Sequence, residues 1–257
     1  SHFLYFAGLP LENAAICLES GQLTLFIDDP SFSYTLWHGE TPAKEDIAQT
    51  IGADAVFPMA ELPAHLAGVA TIPVQDAATW TEQTQLLDRW VLPERPLEGI
   101  DLELAKAIIT LRLTHDAGAL AELRKAAAVT LEAHKAGMAA TRKAKTEADI
   151  RAAMEGAIIA ENMSCAYASI VTIHGEVLHS DRYHNKIQSG DLVLADVGAE
   201  TATGWAADVT RTWAVSGKFS STQRDIYDIV LAAHDACIAK VSPGVEYRDI
   251  HFLAPAG

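Results

Sequence analysis

Asp196 and Asp208 lie at matching distances from Ala202, in two runs that read as the arms of one antiparallel hairpin. Asp191–Ala199 reads as the first strand, Glu200–Gly204 as the turn and Trp205–Val215 as the second strand. A symmetric turn predicts that the two carboxylates face each other, with Cβ atoms roughly 5 Å apart. Two carboxylates that close repel, so one takes up a proton or a cation sits between them. A pair of metal ions about 3.5–4 Å apart is a common solution, and it makes a hydrolytic site.

Alternation along the arms supports this geometry. Val193, Ala195, Val197, Val209, Trp213 and Val215 fall on one face, which reads as core. Leu194, Asp196, Gly198, Ala206, Asp208, Thr210 and Thr212 fall on the other, where Gly198 and Ala206 leave room beside the carboxylates. Arg211 interrupts the apolar face and must be paired or reach solvent. The spacing by itself also fits a hairpin whose solvated face carries two ordinary aspartates.

The 257 residues suffice for one large domain or two ordinary ones, and nearly half are hydrophobic, so a sizeable core can be buried. A net charge of −15 repels phosphate backbones, and no basic stripe with interleaved aromatics occurs, so no nucleic-acid partner is expected. Cys17, Cys165 and Cys237 are widely spaced and form no CxxC pair, which reads as small buried hydrophobes in a reducing compartment. No apolar run is long enough for a membrane span and no signal peptide is visible, so a cytoplasmic location is expected.

The first part of the chain alternates strands and helices. Phe3–Phe6, Asn13–Leu18, Gln22–Ile27 and Asp54–Phe57 read as strands; Pro42–Ile51, Met59–Leu66 and Thr79–Val91 read as helices. This predicts a small α/β domain over residues 1–113. From 114 to 257 the texture changes to long alanine-rich helices. Asp116 is the expected N-cap of a helix running to Arg142, with Leu120, Leu123, Ala127, Leu131, His134 and Met138 as its apolar stripe. His134 reads as a partly buried helix residue, not as a ligand. Thr146 with Asp149 and Ser220 with Gln223 read as helix starts, followed by apolar stripes at Ile150, Met154 and Ile158 and at Ile226, Ile229, Val230, Ala233 and Cys237. Tyr167–Ile173 reads as a strand, and a last helix begins at Tyr247.

His174, His179 and His184 bracket the loop before the first aspartate strand, where a histidine can touch substrate or shuttle a proton near neutral pH. His179 is the strongest of the three, although any one alone also fits a solvated loop position. No nucleophile elbow and no phosphate-cradling glycine loop occurs.

Five runs together resemble the proline-specific pita-bread metallopeptidases, the Xaa-Pro dipeptidases (prolidases) and Xaa-Pro aminopeptidases. They are Tyr167–Val171, Leu178–His179, Gly190–Glu200, Asp208–Thr212 and Ser216–Phe219. The resemblance extends to the amino-terminal part, where Ser1–Gly8 is similar to a segment inside that family's first domain and Trp37-His-Gly39 to its tryptophan-x-glycine motif. It implies an α+β fold: the first part of a pita-bread (creatinase/aminopeptidase) catalytic domain, incomplete here, preceded by a small α/β creatinase-like domain.

The resemblance also implies a site. Asp196 would bind one metal of a dinuclear centre and Asp208 would bridge both. His179 would hydrogen-bond the scissile carbonyl, and a metal-bridging hydroxide would cleave the bond preceding proline in Xaa-Pro dipeptides or, alternatively, in longer peptides. Two divalent ions are implied, Mn2+ first, with Co2+ or Zn2+ as substitutes. Homodimers or tetramers are implied as well, with Trp37 reaching a neighbouring subunit's substrate. The family's other three ligands, a histidine and two glutamates, lie in a carboxy-terminal stretch that these residues do not contain. The chain is therefore expected to be part of a longer or nicked protein, dependent on that missing portion. Two rivals share the fold: metal-free creatinase, which the aspartate pair argues against, and a non-catalytic peptide- or histone-binding module.

Overall fold

A computed structural model describes residues 2–254. Ser1, which heads the amino-terminal resemblance, and the last three residues lie outside that range. Two compact units result, one running through Arg124 and including Thr201–Trp205, the other comprising Lys125–Glu200 and the chain from Ala206.

The first unit is built on a three-stranded sheet. Strand β1 (Ala15–Glu19) pairs antiparallel with β2 (Gln22–Phe26), which pairs parallel with β3 (Ala55–Phe57). Ser20 and Gly21 close the β1–β2 hairpin with φ of 52° and 81°, the left-handed pair that matches the strands' natural twist. Helix α3 (Lys44–Ile51) covers one face, where Leu25, Ile27 and Ala48 are buried against Ile16, Ile47, Ile51 and Val56. A 3-10 helix follows at Met59–His65, then α4 (Ala77–Leu86).

Three elements of this unit depart from expectation. Residues 3–6 lie in a short helix, α1 (His2–Ala7), not a strand: four apolar residues in a row carry no period that separates the two. Helix α2 (Phe32–His38) was not anticipated, although Ser31 caps it by accepting a hydrogen bond from Tyr34 N at 3.1 Å. Helix α5 (Gly99–Arg112) was missed as well, and its buried Asp101 holds Arg89 in a two-pronged ion pair while accepting from Thr71 N at 2.8 Å.

The second unit pairs two helices with small sheets. Helix α6 (Ala117–Thr141) starts at Asp116, which accepts from Ala119 N at 2.7 Å, and α7 (Glu147–Ala160) starts at the expected Thr146–Asp149 capping box. Ile150, Met154 and Ile158 are fully buried, each contributing roughly 1.5–3 kcal/mol of hydrophobic stabilisation. The buried face of α6 is not the leucine stripe. Ala126, Thr130, Ala133, His134, Gly137 and Thr141 are buried, while Leu131 and Met138 are exposed. The buried face is rotated by about one residue: Thr130 and His134 bond to the backbone of residues 197, 199 and 209, Thr141 accepts from Trp213, and Gly137 is where α6 comes close to Met154 of α7. A methyl on Gly137 would lie 2.6 Å from Met154 Cγ.

Beyond α7, β4 (Ser164–Cys165) pairs with β7 (Ala199–Glu200), and β5 (Ile170–Thr172), β6 (Leu192–Asp196) and β8 (Thr210–Ala214) form an antiparallel sheet in the order β5-β6-β8. Val171, Val193, Ala195 and Val197 point into the core with the α7 stripe. Helix α8 (Ser221–Lys240) begins at the expected Ser220–Gln223 capping box, yet its apolar residues Ile226, Ile229 and Val230 are exposed. Helix α9 (Tyr247–Leu253) follows. No helix among the described residues is long and apolar enough to cross a membrane.

Candidate metal centre

The hairpin register differs from the symmetric one by one residue at its centre. Asp196 is paired with Thr210, and Glu200 bridges Ala206 in the same register, which sets Asp208 opposite Gly198. The cause is the loop, which has three residues (202–204): Thr201 N donates to Trp205 O at 2.9 Å and Gly204, at φ 77°, supplies the left-handed position. The aspartates are therefore diagonal neighbours, not directly opposed. The change is even in side-chain period, so both stay on one face.

They also converge. Tyr167 Oη lies 2.6 Å from Asp196 Oδ1 and 3.1 Å from Asp208 Oδ1, donating its one proton between them. Burial first, then the two aspartates' hydrogen bonds and charges, push this phenol far above its ordinary pKa. One oxygen atom touching both carboxylates means that an object of ionic size can do the same. Two hard oxygen donors on one face suit a divalent cation. The two stand by themselves: among the described residues no group of three or more histidine, cysteine or acidic side chains could hold a metal.

The backbone around the pair is held from the helix side. Just past the paired ends of β6 and β8 the next rung is only half made: Val197 N donates to Val209 O at 3.2 Å without the reciprocal bond. His134 Nε2 fills that gap, 2.9 Å from Val209 O and 3.3 Å from Val197 O. One turn earlier on α6, Thr130 Oγ1 accepts from Ala199 N at 2.9 Å. Burial lowers the His134 pKa, so the imidazole is neutral at pH 7, and its buried Nδ1 has no partner. Arg211 reaches solvent and donates to Thr210 O at 2.7 Å.

His179 sits on the exposed loop after β5 and makes no hydrogen bond or ion pair with any described residue. His174 pairs with Glu176 at 3.0 Å. The ends of this loop meet at Glu147, which is fully buried. Its carboxylate accepts from Ile173 N at 2.9 Å and Thr172 Oγ1 at 3.1 Å on one side, and from Asn185 N and Nδ2 at 3.2 and 3.0 Å on the other. Sequence reading passed over Glu147, although its spacing of three, seven and eleven from Ile150, Met154 and Ile158 puts it on the buried stripe. Trp37 lies on α2 in the first unit, 80% exposed.

A small α/β unit followed by a helix-and-sheet unit with converging carboxylates belongs to a known class. The chain is a member of metallopeptidase family M24, whose pattern matches residues 121–256. Residues 1–74 match the aminopeptidase P amino-terminal domain. A probable Xaa-Pro aminopeptidase of Sordaria macrospora is 30% identical over 259 residues, covering 98% of this chain and 55% of the relative. The chain thus spans about half the length of the curated relatives it matches. Aminopeptidase PepP of Pseudomonas aeruginosa superposes with a TM-score of 0.83 at 24% identity, over 99% of this chain and 61% of that one. Zinc-substituted Escherichia coli aminopeptidase P, solved with product, gives 0.81 at 24% identity over 98% and 61%. These likenesses show the fold, which is the one the resemblance implied.

Proposed function

We propose that the protein containing this chain is a metal-dependent Xaa-Pro aminopeptidase that hydrolyses the peptide bond preceding proline. The observation that carries the reading is the convergence of Asp196 and Asp208 on one phenol oxygen. The names of the relatives favour the aminopeptidase over the dipeptidase reading. In this reading residues 1–113 form the amino-terminal domain and 114–257 the first part of the catalytic domain.

Asp196 would hold one of two divalent ions and Asp208 would bridge them. When bound, such ions supply positive charge that activates water and stabilises developing oxyanion charge, and Mn2+ suits oxygen-rich ligands. His179, free of internal partners, is available to donate a hydrogen bond to the scissile carbonyl. Trp37, exposed on α2, is available to meet substrate bound to a neighbouring subunit of a dimer or tetramer.

The test is hydrolysis of Ala-Pro-Ala and Ala-Pro by the full-length protein with Mn2+ and then with chelator. Chelator-sensitive cleavage of the tripeptide is expected, together with loss of both Mn2+ and activity in Asp208→Asn. Cleavage of the dipeptide alone would instead favour the prolidase reading. A protein with no bound Mn2+ and no cleavage would be the non-catalytic binding module.

A further inference from the structure

The half-made ladder beside the aspartates has a specific cost. Val197 C=O lacks its cross-strand donor, and this carbonyl follows directly on Asp196, while the carbonyl of Val209 follows directly on Asp208. A buried carbonyl without a donor is unfavourable, so strands in this position either close up or recruit a side chain. Closing up would restore the regular rung and draw the two strands together. Here the recruited side chain is His134. Both neighbours of its Nε2 are carbonyl oxygens that only accept, so Nε2 carries the proton and the bond is shared between them at 2.9 and 3.3 Å.

We propose that His134 is a positioning residue for the metal centre: by taking the place of the missing rung, its Nε2–H fixes the backbone separation at Val197 and Val209 and so the diagonal spacing of Asp196 and Asp208. This rests on the reading of that pair as metal ligands. His134 is 4% exposed and bonds to backbone alone, so it acts through the two strands and never touches the ion. Its place on α6 ties the spacing to that helix, which meets α7 closely at Gly137. Nδ1 contributes no hydrogen bond, so the clamp uses one of the ring's two nitrogens.

The test uses the full-length protein with Mn2+ alone, bound ion being read by electron paramagnetic resonance. His134→Phe keeps the ring and removes the N–H; it is expected to weaken Mn2+ binding about 10- to 100-fold, the range for residues that orient metal ligands. His134→Gln, whose amide N–H2 can serve both carbonyls, is expected to restore affinity to near the wild-type value. Filling of the cavity alone would rescue in the opposite order. Wild-type affinity in His134→Phe overturns the proposal. Should that variant not fold, nitrogen-15 NMR of selectively histidine-labelled wild-type protein decides: the clamp requires a protonated Nε2 and a bare Nδ1, and the opposite tautomer overturns it. Asp208→Asn separates the two readings. If it keeps its Mn2+, the metal assignment is wrong and the proposal goes with it; if it loses Mn2+ while His134→Phe does not, only the clamp is wrong.

Discussion

Gly198 and Ala207 approach so closely across the aspartate hairpin that a methyl on Gly198 would lie 1.8 Å from the Ala207 carbonyl oxygen. The obstacle is backbone, which cannot swing aside as a side chain would. The same methyl would lie 3.1 Å from the Tyr167 ring. Gly198→Ala is therefore expected to destabilise by about 1–3 kcal/mol through overpacking, measured by denaturant unfolding. It should also displace the phenol that spans the carboxylates, and wild-type stability in this variant would contradict the close approach.

Tyr167 should resist ionisation. A phenolate there would face two carboxylates in a half-buried setting, and its pKa is raised far above the ordinary 10.0. A folded-state pKa raised above the unfolded one means that the stabilisation is complete below pH 10 and is lost as the pH rises beyond it. Absorbance titration at 295 nm of the metal-free protein should find one tyrosine that does not titrate with the exposed ones. Asp196→Asn should bring it closer to the ordinary value.

Glu147→Ala would leave the donors of Ile173, Thr172 and Asn185 without their acceptor in a buried place. Each orphaned group costs about 1–3 kcal/mol where water cannot replace the lost partner. A loss of at least about 2 kcal/mol is expected from the pair of backbone donors. Hydrogen exchange should show the Ile173 and Asn185 amides opening before the sheet does. Glu147→Gln should recover part of this, since one oxygen remains while the amide N–H2 opposes the donors of Asn185.

Acid should weaken the second unit through His134. Burial holds its pKa below the unfolded value of 6.5, so below that pH the unfolded chain binds a proton that the folded chain refuses. Stability then falls as pH drops through 6.5 and continues to fall until the folded pKa is reached. His134→Gln carries no titrating group, and its unfolding midpoint should vary less with pH over that window. An identical pH profile for variant and wild type would show that the buried imidazole does not drive the effect.

What could be read from sequence was what depends on period and local chemistry. The capping boxes at Thr146 and Ser220, the buried stripe of α7 and the shared face of the aspartates all follow from short-range rules, and all are present. The turn was placed one residue off because a three-residue loop and a symmetric one leave the same alternation, and only the left-handed Gly204 distinguishes them. The α6 face was misjudged because size was taken as a sign of burial. The buried positions are those that meet the aspartate hairpin (Thr130, His134), Trp213 (Thr141) and Met154 (Gly137), and side-chain size does not mark them. Phe3–Phe6 was ambiguous by its nature, being too short to show a period. The contributions of His134, Tyr167 and Glu147 depend on which groups lie across from them, over separations of 25 to 75 residues in the chain, and no local signal encodes that.

The buried carboxylate of Glu147 also bears on how this protein can diversify. It pins residues 173 and 185 to one point, so everything between, His179 included, forms a surface lobe closed at its base. Lengthening such a lobe costs little, about 0.6 kcal/mol for each doubling. Changes at its exposed positions, Glu176 to His179, fall outside the contacts that Gly175 makes with Leu194 of β6 and Tyr183 makes with the core. The exposed positions where the sequence can vary are thus kept apart from the backbone that must not move.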